Sequence, residues 1–140
     1  MPNEEESFDS AALVGNVGVH AQLGIEAVEL SKDRVVLSLP IGSKVHQPYG
    51  ILHGGVSALL AESAASIGAA LNVASDKAVV GIELNASHLR SAVSGTLIAT
   101  ATPVRIGRTI HVWRIELTDK SGRGICEARC SMAVIDRPAE

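Results

Sequence analysis

Residues 46–66, which read HQPYGILHGGVSALLAESAAS, contain most of the groups in this sequence that could take part in catalysis. Glu62 stands out because it is the one charged residue of the apolar stretch 56–74. Burying an ionised carboxylate without a partner costs several kcal/mol, and no Lys or Arg occurs between Lys44 and Lys77 to pair with it locally. Glu62 is therefore either a functional base or nucleophile, or a structural residue that meets a distant Arg or a solvent-lined groove.

Two glycines precede the helix that this stretch predicts. Gly54 and Gly55 would present bare N–H groups at the positive end of the helix dipole, where an oxyanion or a polarised carbonyl can bind, although such glycines are often ordinary loop residues. His53 and Gln47 would add hydrogen-bond donors, but a single His beside glycines is usually structural. Ser66 follows Glu62 by one helical turn and shares its face, so its hydroxyl would reach the carboxylate or an intervening water, unless it is simply a small neutral residue.

Composition narrows the class of protein. A chain of 140 residues with 46% hydrophobic and 19% charged residues predicts one compact domain with a substantial core. A net charge of −3 and only 2% aromatic residues argue against nucleic-acid binding, which needs a basic field and stacking side chains.

The five histidines have no HExxH or comparable spacing, so a metal site is not expected. Cys126 and Cys130 would face the same side of a strand, as small core hydrophobes.

Neither a membrane span nor a secretory signal is expected. Stretch 56–74 is rich in Ala and carries Glu62 well inside it, and a carboxylate near the centre of a bilayer costs about 2.5 kcal/mol or more. The stretch instead predicts a helix that is weakly apolar on every side and largely enclosed by protein. The first ten residues are acidic and contain no apolar core, so the cytoplasm is the expected location.

Periodicity predicts an α+β domain with one long central helix and six strands. The short connections favour antiparallel neighbours, and the sheet is expected to curl around the enclosed helix. A partner chain would cover the remaining sheet face and edges, so an oligomer is expected. The expected ranges are a flexible acidic tail at 1–10, one domain at 11–136 with a short tail at 137–140, a possible helix at 11–23, strands at 25–30, 34–39, 80–88, 96–104, 109–118 and 125–135, a loop at 41–55, and the long helix at 56–72.

The string from Gln47 to Gly55, together with Glu62, resembles the hotdog-fold acyl-CoA thioesterases. The most similar group is the PaaI-like and aryl-CoA type, which is 4-hydroxybenzoyl-CoA thioesterase-like and includes the 1,4-dihydroxy-2-naphthoyl-CoA hydrolases and the enterobactin-pathway proofreading enzymes. The resemblance continues through segments 80–91 and 112–116 and covers roughly residues 22–135. It implies the hotdog fold and hydrolysis of an aryl-CoA, such as hydroxynaphthoyl- or hydroxybenzoyl-CoA, or of a medium-chain acyl-CoA. Coenzyme A would be part of the substrate, and no separate cofactor is implied.

The resemblance also implies a role for each matching residue. Glu62 would be the nucleophile or the general base, the Gly54 N–H would polarise the thioester carbonyl, Gln47 and His53 would orient it, and Ser66 would hold the attacking water. The phosphates of coenzyme A need cations or exposed N–H groups, and the candidates, with the first two favoured, are His88, Arg90, Arg105 and Arg108. The turn 105–109 departs from the relatives in its order of Ser, Arg and His.

Helix geometry adds a constraint of its own. Glu62 lies eight residues after Gly54, which is about 12 Å along a helix at about 1.5 Å per residue. A glutamate side chain cannot reach across that distance to a carbonyl held at Gly54 of the same chain. We therefore expect a homodimer with its sites at the interface, where one subunit supplies Gly54, His53 and Gln47 and the other supplies Glu62. The resemblance agrees with sites at a dimer interface. The expected assembly is a dimer of dimers, a homotetramer, and the sequence leaves the choice between dimer and tetramer open.

Two other functions fit the same elements. A hotdog hydratase or dehydratase would normally need an Asp/His pair in place of Glu62. A non-catalytic module that binds acyl-CoA or an acyl carrier protein would have no need of Glu62, so the presence of this residue favours hydrolysis. The sequence does not fix the acyl group, the choice between CoA and carrier-protein substrates, or the choice between nucleophile and base for Glu62.

Overall fold

The computed structural model describes residues 14–15 and 18–139. Within them the chain forms two helices and six strands, as the periodicity predicts. The elements are α1 (Gly18–Leu23), β1 (Glu26–Leu30), β2 (Val35–Ile41), α2 (Gly54–Ala70), β3 (Lys77–His88), β4 (Gly95–Ile106), β5 (Ile110–Thr118) and β6 (Gly124–Asp136), with a 3-10 turn at Ser43–Val45.

The six strands form one sheet in the order β1-β2-β4-β5-β6-β3, and every neighbouring pair is antiparallel. The α+β class and the antiparallel sheet are thereby confirmed. Helix α2 follows β2 in the chain and is followed by β3, which pairs at the opposite end of the sheet with β6. One edge of β3 consequently has no strand partner among the described residues. This edge strand and α2 together carry most of the candidate site.

Helix α2 packs across one face of the sheet through small side chains. Its fully buried positions include Ala61, Ala64 and Ala65, and small residues let a helix approach a sheet closely. The closest approach is at Gly68, where an added Cβ would lie 2.6 Å from Cη2 of Trp113 on β5. Trp113 is fully buried and is the one Phe, Tyr or Trp in the core of the described residues, which is otherwise mainly aliphatic.

Helix α2 is largely enclosed already within the single chain, as predicted, and its exposed positions are Gly55 and Glu62. Ser63 and Ser66 are half-buried. Glu62 is exposed because one sheet covers only the inward face of a helix, and the side that carries Glu62 opens at the edge beside β3. Within the described part of the chain, no helix has the length and apolar character that a membrane span requires.

Element boundaries shift by a few residues for identifiable reasons. Helix α2 begins at Gly54, two residues before the expected start, because His53 caps it. Strand β3 begins at Lys77 rather than at residue 80, because Lys77 pairs in register with Asp136 of β6 and forms a 2.6 Å ion pair with it. Of the possible helix at 11–23, residues 18–23 form α1 and residues 14–15 precede it. Residues 11–13 and 16–17 lie outside the described ranges, as does the expected tail at 1–10. The domain bounds stay a prediction.

Both cysteines belong to the core, as predicted. Cys126 and Cys130 are buried free thiols on the inward face of β6. Burial raises the pKa of Cys126, and it raises the pKa of Cys130 to about 11, with a smaller contribution from the negative charge of Glu62. Because the thiolate is the reactive form of cysteine, both side chains are chemically inert near neutral pH.

Candidate active site

The loop before α2 is fixed against the segment that follows β3. The Leu52 N–H donates to the Ala92 carbonyl at 2.7 Å, and the His46 ring donates through Nε2 to the Val93 carbonyl at 2.7 Å. These contacts join segments that are distant in sequence. The loop therefore enters α2 in a defined orientation and holds its glycines beside the end of β3.

At the start of α2, two of the first three N–H groups are already bonded. The His53 Nδ1 atom accepts from the Gly55 N–H at 2.8 Å, and the Val56 N–H donates to the His53 carbonyl at 3.0 Å. The Gly54 N–H has no acceptor within residues 14–15 and 18–139. It points from the positive end of the helix and remains available to a ligand. In the neutral ring, the bond at Nδ1 assigns the proton of His53 to Nε2, which is then a second available donor.

The Gln47 backbone and side chain stabilise the turn 47–50, and the side-chain nitrogen has no hydrogen-bond partner among the described residues. The Gly50 N–H donates to the Gln47 carbonyl at 2.9 Å, and Gly50 adopts a φ of 76°, which favours glycine. The Gln47 Oε1 atom accepts from the Tyr49 N–H. Because the carbonyl oxygen of the amide is occupied, the group that Gln47 can offer to a ligand is its NH2 donor.

Glu62 extends from α2 over Gly81 of β3. The contact is so close that a Cβ at position 81 would overlap Oε1 of the carboxylate. No described Lys or Arg forms an ion pair with Glu62. Of the two structural alternatives, the distant Arg is therefore not found in the described part of the chain, and the carboxylate lies exposed at the sheet edge instead.

Ser66 is not bonded to Glu62 in the described structure. Its hydroxyl donates to the Met132 Sδ atom at 3.9 Å, which is a weak contact. Met132 is fully buried on β6, so Ser66 lies at the boundary between the core and the side of α2 that carries Glu62. Its role in holding a water stays a prediction.

Gly54 and Glu62 lie over different ends of β3. A Cβ at Gly54 would be 2.9 Å from the His88 ring, whereas Glu62 lies over Gly81. The eight-residue offset along α2 corresponds to about 12 Å. The free N–H and the carboxylate of one chain therefore do not meet at a single carbonyl.

The four residues expected to bind the phosphates of coenzyme A form two separate pairs. His88 and Arg90 lie at one end of the sheet, where Arg90 Nη1 donates to the Gly124 carbonyl at 3.1 Å. Arg105 and Arg108 flank the β4–β5 turn at the other end, where the charge of Arg108 acts on Lys77. The structure does not bring the two pairs together within one chain.

Sequence reasoning missed a polar contact beside Glu62. The His20 Nε2 atom lies 2.8 Å from the Ser63 hydroxyl, which joins α1 to α2. The two residues are 43 positions apart, and no local pattern links them. In the described ranges, no group of three His, Cys, Asp or Glu side chains is arranged to hold a metal ion.

A family model described as "Thioesterase superfamily" matches residues 49–126, which is more than half of the chain. The matched range contains Gly54, Glu62, Gly81 and His88. The chain belongs to the thioesterase superfamily. It is a thioester hydrolase with the hotdog fold, as the resemblance implied.

Individual relatives agree with this assignment. This thioesterase is 47% identical over 118 residues to the 1,4-dihydroxy-2-naphthoyl-CoA hydrolase of Listeria monocytogenes, covering 84% of this chain and 96% of the relative. It is 38% identical over 126 residues to the proofreading thioesterase EntH of Cronobacter turicensis, covering 90% of each. The crystal structure of a mutant thioesterase of Pseudomonas aeruginosa superposes with a TM-score of 0.89 at 38% identity, covering 95% of this chain and 98% of the other. These names match the predicted branch of the family.

Proposed function

We propose that this thioesterase hydrolyses an acyl-CoA to the free acid and coenzyme A. The expected acyl groups are an aryl group, such as hydroxynaphthoyl or hydroxybenzoyl, or a medium-length chain. The names of the relatives support the substrate class. The observation that carries the mechanism is that, among the described residues, the Gly54 N–H has no acceptor and the exposed Glu62 carboxylate has no ion-pair partner. Because coenzyme A thioesters are made and used in the cytoplasm, we propose that location.

We propose that the active unit is a homodimer formed through the free edges of two β3 strands. Val80 and Ile82 on this strand are 42% and 57% exposed, which is unusual for apolar side chains in a central position of a strand. An antiparallel, twofold pairing centred between Leu84 and Asn85 would set position 81 of one chain opposite position 88 of the other. Two such dimers would form the expected homotetramer.

This pairing supplies the missing half of each site. Glu62 lies over Gly81, and Gly54 lies beside His88. Setting positions 81 and 88 opposite each other therefore moves Glu62 of one subunit toward Gly54 of the partner subunit. Within one chain, Gly54 and Glu62 are about 12 Å apart along α2. In the dimer, the Glu62 of one subunit would approach the Gly54 of the partner subunit without any change in the fold of either chain.

The same pairing gathers the candidate phosphate-binding residues. The end of β3 that carries His88 and Arg90 would lie beside the Lys77 end of the partner strand. Arg105 and Arg108 lie near that end in each chain. Cations from both subunits would then line one groove, as the phosphates of coenzyme A require.

The chemistry assigned to the site is an acyl transfer to water. The Gly54 N–H polarises the thioester carbonyl, while the Gln47 amide and His53 Nε2–H orient it. With Glu62 as the general base, the carboxylate takes a proton from a water held near Ser66, the water oxygen bonds to the carbonyl carbon, and the C–S bond breaks. The proton then passes from Glu62 to the leaving thiolate. With Glu62 as the nucleophile, a carboxylate oxygen bonds to the carbonyl carbon, the C–S bond breaks and the thiolate leaves with a mixed anhydride on Glu62. Water then cleaves the anhydride to the free acid and the Glu62 carboxylate, and the proton that this releases passes to the thiolate.

Release of free thiol from aromatic, short-chain and long-chain acyl-CoAs tests this function. Wild type is compared with Glu62→Gln, and Glu26→Gln, an exposed glutamate of β1, is the matched control. We expect the Glu62 variant to lose a factor of about 10² to 10⁴ in kcat with its folding intact, and the control to remain active. Full activity of Glu62→Gln would exclude the mechanism. Absence of turnover by wild type on every substrate would favour the acyl-CoA binding module.

A further inference from the structure

His20 bonds through both of its ring nitrogens. Nδ1 contacts the Val14 carbonyl, and Nε2 lies 2.8 Å from the Ser63 hydroxyl. A carbonyl oxygen only accepts, so the proton of the neutral ring is assigned to Nδ1, and Nε2 accepts from Ser63. One side chain thus joins residue 14, helix α1 and helix α2.

Helix α1 has few other anchors. It is six residues long and contains no buried residue, and a helix this short is not stable without tertiary contacts. Leu23 packs partly against the core, and the neighbouring Val14 and Ile25 are buried. The bond from His20 to Ser63 is the one side-chain hydrogen bond that the described structure shows between α1 and α2.

The contact lies beside the candidate carboxylate. Ser63 follows Glu62 directly in the chain. Of the residues three and four positions away from Ser63 on the helix, Leu60 and Ile67 are buried, whereas Leu59 and Ser66 lie toward the surface. Leu59 and Ser66 are half-buried. Helix α1 therefore borders the surface of α2 from which Glu62 projects.

We propose that His20 is a positioning residue that acts through Ser63. Its hydrogen bond holds α1 as a wall of the acyl-binding groove, and the position of this wall sets how tightly the acyl group binds. The inference rests on the proposed function, since it concerns the acyl group of the same substrate. It assigns no chemical step to His20 or Ser63.

Steady-state kinetics with benzoyl-CoA as the probe tests the inference. We expect His20→Ala and Ser63→Ala each to raise KM by about three- to tenfold, the range for loss of one hydrogen bond, with kcat changed less than about twofold. The double variant His20→Ala/Ser63→Ala should be no worse than either single variant, because both remove the same bond. His20→Gln, whose amide can still bond to Ser63, should restore most of the affinity. Gln22→Ala, an exposed residue of the same helix, is the control.

Amide hydrogen exchange of residues 18–23 provides a readout that does not need activity. Exchange should accelerate in His20→Ala and Ser63→Ala but not in Gln22→Ala. Unchanged KM in the two single variants, a fall in kcat at constant KM, or KM effects that multiply in the double variant would each overturn the inference while leaving the proposed function in place. Wild type that releases no thiol from any acyl-CoA would instead overturn the proposed function and, with it, the acyl-binding role of α1.

Discussion

The Glu62 carboxylate lies directly against the Cα of Gly81, so that any side chain at position 81 would displace it. Gly81→Ala should therefore move the carboxylate while leaving the fold intact, since Glu62 is exposed and its side chain is flexible. We expect kcat/KM to fall by about tenfold or more, because a displacement of about 1 Å is costly in catalysis. Thermal unfolding should change little. Gly42→Ala, where an added Cβ meets nothing within 4 Å, should keep full activity.

Gly54→Pro tests the role of the Gly54 N–H, because proline has no backbone N–H. Gly54 is the first residue of α2, a position that accepts proline, and His53 already has the extended conformation that a following proline requires, with φ −68° and ψ 127°. We expect Gly54→Pro to lower kcat by about 10² to 10³, the cost of one lost oxyanion donor.

Gly54→Ala is the matched control for this substitution. It adds the same Cβ against the His88 ring but keeps the N–H. The two variants should show a similar effect on KM and a large difference in kcat. Equal kcat values would show that the N–H has no part in the reaction.

A mixing experiment tests whether two chains share each site. Glu62→Gln and Gly54→Pro are each expected to be inactive alone. In a mixed dimer, one site combines the intact Glu62 of one chain with the intact Gly54 of the other, so random exchange of subunits should restore about a quarter of the wild-type activity. Mixtures that stay inactive after refolding together would indicate that each chain carries a complete site.

Burial of His111 predicts a loss of stability in acid. His111 is 1% exposed, its Nδ1 has no hydrogen-bond partner among the described residues, and burial lowers its pKa below the ordinary 6.5, with a contact to the Gly107 backbone opposing the shift. The unfolded chain therefore takes up the proton first. The free energy of unfolding should be highest above pH 6.5, fall as the pH drops below 6.5, and level off below the pKa of the folded state.

Urea unfolding between about pH 8 and pH 5 measures this slope. The His111→Gln variant, which cannot titrate, should show a smaller slope than wild type. An identical slope in wild type and His111→Gln would assign the acid sensitivity to another group.

Contact between α2 and the sheet predicts a stability cost at Gly68. Gly68→Ala would place a Cβ 2.6 Å from the buried ring of Trp113, which is rigid and enclosed. Overpacking lowers the free energy of unfolding by about 1–3 kcal/mol. The higher helix propensity of alanine offsets about 1 kcal/mol of this loss. We expect a net loss of about 1 kcal/mol in urea unfolding. Gly124→Ala, with its nearest side-chain atom at an ordinary 3.5 Å, should change stability by less than about 0.5 kcal/mol.

The features that depend on local pattern could be predicted from the sequence. Alternation along residues 80–88 indicates β3, the apolar stretch 56–74 indicates α2, and the isolated charge within that stretch singles out Glu62. The family, the hotdog fold and thioester hydrolysis are confirmed. The individual roles of Glu62 and Gly54 stay predictions.

What the sequence could not predict depends on contacts between distant segments. The division of the Arg90 and Arg105 regions between opposite ends of the sheet follows from strand order and register, which no local pattern encodes. The exposure of Glu62 follows from the position of β3 at the sheet edge. The bond between His20 and Ser63 joins a short helix of weak helix propensity to a longer helix. No sequence pattern near either residue predicts this contact.

The enclosed ring of Trp113 also gives this protein a built-in optical probe. It is the single tryptophan of the chain, it is fully buried against Gly68, and its Nε1–H has no hydrogen-bond partner in the described structure. An indole in such dry surroundings fluoresces at short wavelength, and its emission shifts to the red when water reaches it. If helix α2 moves away from the sheet, the emission maximum of Trp113 should therefore shift to longer wavelength. No added label is needed to measure this shift.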